Sequence, residues 1–233
     1  MATDPIIIIP PPPGFPPTPG DDYIELDSRP QRLDALEGND TVFAGGGNDT
    51  ILGNDDNDLI FGGANRDLLK GGAGDDTLDG GSSNDRLEGG AGEDVLLGGQ
   101  GEDRLYGGDG DDALMGGSDN DRLYGQDGND TIIGGDGDDV LYGDNPQFSN
   151  SAPGDDDEGW MDVFVFDADD GNDKVFDFEE GLDQVYLTEA PGGVDIADVV
   201  AFSYVGDNTV MTYGATTVTF YDSVVTDADV LLI

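Results

Sequence analysis

Cysteine and histidine are both absent from this 233-residue chain, and only 8 basic residues face 53 acidic ones. Without cysteine no disulfide can staple the fold. Without histidine the Ser-His-Asp and Cys-His arrangements, the H-E-x-x-H zinc site and the usual general base are missing, so the chain reads as non-enzymatic. A formal charge of −45 excludes nucleic acid as a direct partner, because phosphate binding needs a basic surface. Long apolar runs are lacking too. The one near the start, Ile6–Ile9, is fenced by Pro5 and Pro10 and is too short for the core of a secretory signal; no transmembrane span is expected anywhere.

What the chain does have is a register. Twelve aspartates stand nine residues apart: Asp40, Asp49, Asp58, Asp67, Asp76, Asp85, Asp94, Asp103, Asp112, Asp121, Asp130 and Asp139. Two residues after each comes an aliphatic side chain, from Val42 and Ile51 through to Ile132 and Leu141, and glycines fill most of the space between. The unit reads G-G-x-G-x-D-x-U-x, as in Gly71-Gly72-Ala73-Gly74-Asp75-Asp76-Thr77-Leu78-Asp79. A solvated turn residue is the ordinary reading of one such aspartate; twelve in phase are not ordinary.

In the three residues x-U-x, read as a short strand, only the middle side chain points inward, so the core is one aliphatic residue deep per nonapeptide. The remaining six residues are expected to be a turn in which glycine admits positive φ and lets carbonyl oxygens crowd together. Carboxylate and carbonyl oxygens at fixed spacing suit calcium, a hard cation that takes six to eight oxygen ligands. The unit resembles the calcium-binding repeats-in-toxin (RTX) family. That resemblance implies an all-β fold, a parallel β-roll of 18 residues per turn, with calcium between stacked turns along two edges. One column would use Asp40, Asp58, Asp76, Asp94, Asp112 and Asp130, the other Asp49, Asp67, Asp85, Asp103, Asp121 and Asp139. Backbone carbonyls such as those of Gly72, Gly74, Gly90, Gly92, Gly108 and Gly110 would complete the sites, for at most about ten ions. At the fourth position of the unit the first column has one residue other than glycine, Asp56, whereas the second has Asn65, Ser83 and Asp119, so the first column is expected to fill more completely.

Outside the repeats, residues 1–20 hold eight of the twelve prolines and read as an extended segment. Residues 21–34 read as a lead-in cap, 35–142 as the roll of twelve nonapeptides, 143–158 as an exposed acidic loop and 159–233 as a β-rich C-terminal cap. The C-terminal part resembles the domain that follows RTX repeats in serralysin-type proteases, where it carries a signal for type I secretion; Asp229–Ile233 would be that signal here. On one outer face Arg86, Arg104 and Arg122 should stack beside Tyr106, Tyr124 and Tyr142, and on the other Phe43, Phe61, Leu97, Met115 and Ile133 form an apolar stripe. The expected protein is secreted or surface-bound, meets the type I secretion machinery, and folds on extracellular calcium, since carboxylate repulsion opposes collapse without it. Its expected role is structural, with self-association through the N-terminal strand into a filament or layer. The alternatives are a carbohydrate- or surface-binding accessory module, with a surface polysaccharide as partner, or the RTX part of a larger secreted enzyme or toxin.

Overall fold

A computed structural model describes residues 6–8, 17–144, 160–167, 170–179, 181–188, 200–205, 208–221, 223, 225 and 229–232. Its strands, in chain order, are β1 (Ile6–Ile8), β2 (Tyr23–Glu25), β3 (Arg32–Glu37), β4 (Thr41–Phe43), β5 (Thr50–Asp55), β6 (Leu59–Ala64), β7 (Leu68–Ala73), β8 (Thr77–Ser82), β9 (Arg86–Ala91), β10 (Val95–Gln100) and β11 (Arg104–Asp109). There follow β12 (Ala113–Ser118), β13 (Arg122–Asp127), β14 (Thr131–Asp136), β15 (Val140–Tyr142), β16 (Val163–Phe166), β17 (Asn172–Phe176), β18 (Gln184–Leu187), β19 (Val200–Val205), β20 (Asn208–Tyr213), β21 (Thr216–Phe220) and β22 (Val230–Leu232).

These strands divide into two 11-stranded sheets, β1-β2-β4-β6-β8-β10-β12-β14-β16-β18-β22 and β19-β20-β21-β17-β15-β13-β11-β9-β7-β5-β3. From β2 to β18 successive strands alternate between the sheets, and each strand from β4 to β16 pairs in parallel with the strand two before and two after, which is the winding of a parallel β-roll. The register follows the aliphatic residues: Leu96 lies between Leu78 and Leu114, and Leu105 between Leu87 and Leu123. Each of the twelve aliphatic positions from Val42 to Leu141 is buried. One stripe from each sheet therefore meets in a single-file core, and every turn repeats the same contact.

The strands are longer and the turns shorter than a three-plus-six division. A typical strand runs six residues, as Leu59–Ala64 does, and its burial alternates so that Ile60 and Gly62 both face inward. The first glycine of the unit is thus an inward position without a side chain. Only three residues, such as Asn65-Arg66-Asp67, remain for the turn.

Both sheets continue on either side of residues 35–142. Before them, Ile24 of β2 pairs with Val42, and Ile24, Leu33 and Ala35 are buried in the same core. After them, β16 adds to β14 and β17 to β15, both parallel. The core then becomes aromatic: Phe164 and Phe178 lie 6.1 Å apart, and Phe178 meets Phe220 edge-on at 5.1 Å. The second sheet ends in an antiparallel hairpin, β19 on β20 and β20 on β21, with β21 laid parallel against β17. In the first sheet β22 is the last strand, parallel to β18.

At the opposite end β1 pairs in parallel with β2 of its own molecule, Ile7 beside Ile24. The strand expected to join neighbouring copies is taken up in cis here. Most of the proline-rich segment and of the acidic loop expected at 143–158 lies outside the described residues. Among the described residues no helix is long and apolar enough to cross a membrane.

Candidate metal centre

Each repeat aspartate immediately precedes a strand, and all but Asp49 end a three-residue turn, which points the carboxylate along the edge of the roll. One carboxylate oxygen is committed to the backbone, since Oδ1 accepts the N–H of the residue 18 positions earlier, Gln31 for Asp49 and an aspartate for the other eleven. Asp58 N–H donates to Asp76 Oδ1 at 2.7 Å, Asp76 N–H to Asp94 Oδ1 at 2.7 Å and Asp85 N–H to Asp103 Oδ1 at 2.6 Å. The same aspartate's carbonyl accepts the N–H of the first strand residue one turn on, as in Thr77 N–H to Asp58 O at 2.8 Å. Both columns have this geometry, so the carboxylates themselves do not rank one edge above the other.

The other oxygen has no such commitment. In all twelve aspartates Oδ2 is buried without a hydrogen-bond partner, and none of the twelve residues is more than 3% exposed. A buried, unpaired carboxylate oxygen costs several kcal/mol unless a cation or donor answers it. Beside Oδ2 of the ten aspartates from Asp58 to Asp139 lies the empty inward position of a first glycine, whereas Ala35 and Ala44 take that place before Asp40 and Asp49. An ideal Cβ on Gly62 would sit 2.7 Å from Asp67 Oδ2 and 2.8 Å from Gly80 O; on Gly80, 2.8 Å from both Asp85 Oδ2 and Gly98 O. Carboxylate and carbonyl oxygens thus converge where the side chain is missing.

The donor set is oxygen only, without nitrogen or sulfur, which suits a hard divalent cation such as calcium. Among the described residues no three carboxylates gather at one point, so a cation held by Asp67 or Asp85 would draw most of its ligands from the backbone. The carbonyls of Gly72 and Gly90 stand where a Cβ on Gly90 and Gly108 would be, and those of Gly74, Gly92 and Gly110 where one on Gly92, Gly110 and Gly128 would be, while Gly108 pairs with Gln126. Carbonyl oxygens are therefore stacked along the same edges as the carboxylates. At the fourth position Asp56 of the first column and Asn65, Ser83 and Asp119 of the second all take positive φ, 74° to 85°.

Burial, and then repulsion from the aspartates one turn away, push these acids upward. Asp58 and Asp76 rise to about 7, and Asp85, Asp112 and Asp121 to about 8, although the N–H bond to Oδ1 pulls the other way. Asp40, Asp67, Asp94 and Asp103 rise to about 6, Asp130 and Asp139 to about 7, and Asp49 rises as well.

Four further aspartates join the columns. Asp22 N–H donates to Asp40 Oδ1, Asp130 N–H to Asp162 Oδ1, Asp162 N–H to Asp183 Oδ1 and Asp139 N–H to Asp173 Oδ1. Their steps of 32, 21 and 34 residues beyond Asp130 break the nine-residue phase. The signal that could have found them is the D-x-U triplet in Asp22-Tyr23-Ile24, Asp162-Val163-Phe164, Asp173-Lys174-Val175 and Asp183-Gln184-Val185.

On the outer face of the second sheet the tyrosine row is longer than its repeat spacing indicates. Tyr106, Tyr124, Tyr142, Phe176 and Tyr221 stack face to face at 4.5 to 4.9 Å, and the Arg86 guanidinium covers the first ring at 4.3 Å. Arg86 and Lys70 both pair with Glu88. Each inner ring has both faces covered by its neighbours, so the row offers edges, not the open faces on which a sugar would stack. On the first sheet Phe43 and Phe61 stack, Tyr23 lies tilted at 47° to Phe43, and Met115 is 43% exposed.

Among known proteins, the family model described as RTX calcium-binding nonapeptide repeat (4 copies) matches residues 34–69, 52–87, 61–96, 79–114, 88–123 and 115–145. No curated protein matches the chain. Among solved structures, 32 chains match. One is the extracellular lipase LipA from Serratia marcescens, at 19% identity and a TM-score of 0.31, with 93% of this chain covered. The chain spans 39% of that lipase's length. The family match falls on the stretch whose carboxylates stack, and through residues 34–145 the chain belongs to the RTX calcium-binding nonapeptide-repeat family.

Proposed function

We propose that this chain is a secreted, non-enzymatic calcium-binding protein whose roll folds on meeting extracellular calcium and serves a structural role there. The observation that carries the reading is the row of twelve buried Oδ2 atoms without partners. Bound calcium would supply the positive charge that lets these carboxylates stay ionised in the fold. The absence of histidine and cysteine from all 233 residues supports a role other than catalysis. β1 lies on its own β2 in this single chain, and the structural role proposed here is carried by the roll. The covered faces of the aromatic row weigh against the carbohydrate-binding alternative.

Far-UV circular dichroism at neutral pH tests the reading. In chelator the chain is expected to be largely disordered, and at about 1 mM calcium, in the extracellular range, to become β-rich in a cooperative step. A full β signal in chelator would sink it. Export is expected to depend on the C-terminal end, so a chain lacking residues 229–233 should accumulate inside the cell, and normal export of that truncation would remove the type I part of the proposal.

A further inference from the structure

We infer that the second column takes one more calcium step beyond the matched repeats, between Asp139 and Asp173, and that this step makes the C-terminal hairpin depend on calcium. The inference rests on the calcium reading above, but Asp173 and its turn lie outside residues 34–145. Asp173 is 2% exposed, its Oδ1 accepts the Asp139 N–H at 3.0 Å, and its Oδ2 is buried with no partner, as is that of Asp139. The turn before it copies a repeat turn. Gly171 has φ 114° and bridges to Gly137, Asn172 N–H donates to Asp138 Oδ1 at 3.0 Å, and Lys174 N–H donates to Asp139 O at 2.9 Å. The separation of 34 positions between the two aspartates has thus not disturbed the site.

The equivalent step on the other edge leads elsewhere. There Asp130 N–H donates to Asp162 Oδ1 at 2.8 Å, Met161 N–H donates to Asn129 Oδ1 at 2.9 Å and Gly143 faces Asp162 Oδ2, but Asp162 N–H goes on to Asp183 Oδ1 and its strand β16 pairs with β18, not with the hairpin. The Gly171 turn also contacts the C-terminal hairpin. Gly171 O accepts the Thr217 N–H at 2.8 Å, and Asp170 N–H donates to Thr216 Oγ1 at 2.9 Å, so this one turn joins the roll to β21 and through it to β20. A cation held at Asp139 and Asp173 would fix that junction.

The test compares Asp173→Asn, which keeps an Oδ1 acceptor but not the charge, with Asp162→Asn, a change at an equally placed carboxylate on the other edge. Calcium stoichiometry is measured by equilibrium dialysis, and hydrogen exchange of residues 208–221 and of 41–127 is followed through a calcium titration. D173N should bind one ion fewer than the unmodified chain and need roughly tenfold more calcium to protect 208–221, with the midpoint for 41–127 unchanged. D162N should leave the calcium midpoint for 208–221 where it is in the unmodified chain. The inference falls if D173N binds the full number of ions, if D162N raises the midpoint for 208–221 as D173N does, or if D173N leaves 41–127 unprotected at saturating calcium, which would make Asp173 a general structural residue. An unmodified chain that takes up no calcium would instead bring down the calcium reading itself.

Discussion

At the scale of single residues the roll is governed by atoms that are missing. Gly108 has φ 132°, and a Cβ there would collide with the backbone carbonyl of Gly90, which cannot step aside without breaking the ladder. Gly108→Ala is expected to cost above about 3 kcal/mol, read as a fall in thermal midpoint with calcium held constant. The opposite change is available at Ser83, whose φ of 85° is uncomfortable for a side chain with a Cβ. Ser83→Gly should gain about 0.5–1 kcal/mol, the relief of strain less the entropy glycine adds to the unfolded chain. Acid acts on the same carboxylates in two directions. Asp85, Asp112 and Asp121 have folded values near 8, well above the ordinary value of 3.8, so in the metal-free chain their contribution is fully present below about pH 4 and is lost as pH rises through 8. Acid should therefore favour the metal-free roll, while protons competing for the same oxygens should raise the calcium midpoint. In chelator the β signal is expected to be stronger at pH 5.5 than at pH 8. No difference would show that these acids do not oppose folding.

At the scale of strands and turns, the contribution of each element comes from the same few positions. Leu105 is fully buried between Leu87 and Leu123, and Leu105→Ala should cost about 2–5 kcal/mol in thermal or denaturant unfolding at saturating calcium. The change should loosen neighbouring turns before distant ones, because in a solenoid each repeat touches only its neighbours. The aspartate and aliphatic positions could be read directly from the sequence, since both are set by a local rule repeated twelve times, and all twenty-four are buried where that rule puts them. The course of the strand through both glycines was not legible in this way: an inward position with no side chain leaves no hydrophobic mark. Asp162 and Asp173 were hidden for a different reason, since an insertion destroys a count of nine but not a pairing of strands. Phe176 and Tyr221 joined the tyrosine row only through register, which no spacing in the sequence could supply.

At the scale of the whole molecule, the same winding has a mechanical meaning. Each strand is held by the strands one turn before and one turn after, so a pull on the two ends loads the outermost coil alone and the coils come away in order. Each released coil of 18 residues should lengthen the tether by about 60 Å, at 3.3–3.6 Å per extended residue. Between Asp130 and Asp162, and equally between Asp139 and Asp173, one and the same insertion raises the separation of stacked positions from 18 to 32 and 34 residues. The coil that holds it should give one longer step, about 110 Å. A force–extension trace of the calcium-loaded chain would then be a ruler of the fold, with even graduations through the repeats and one wide one toward the C-terminal end.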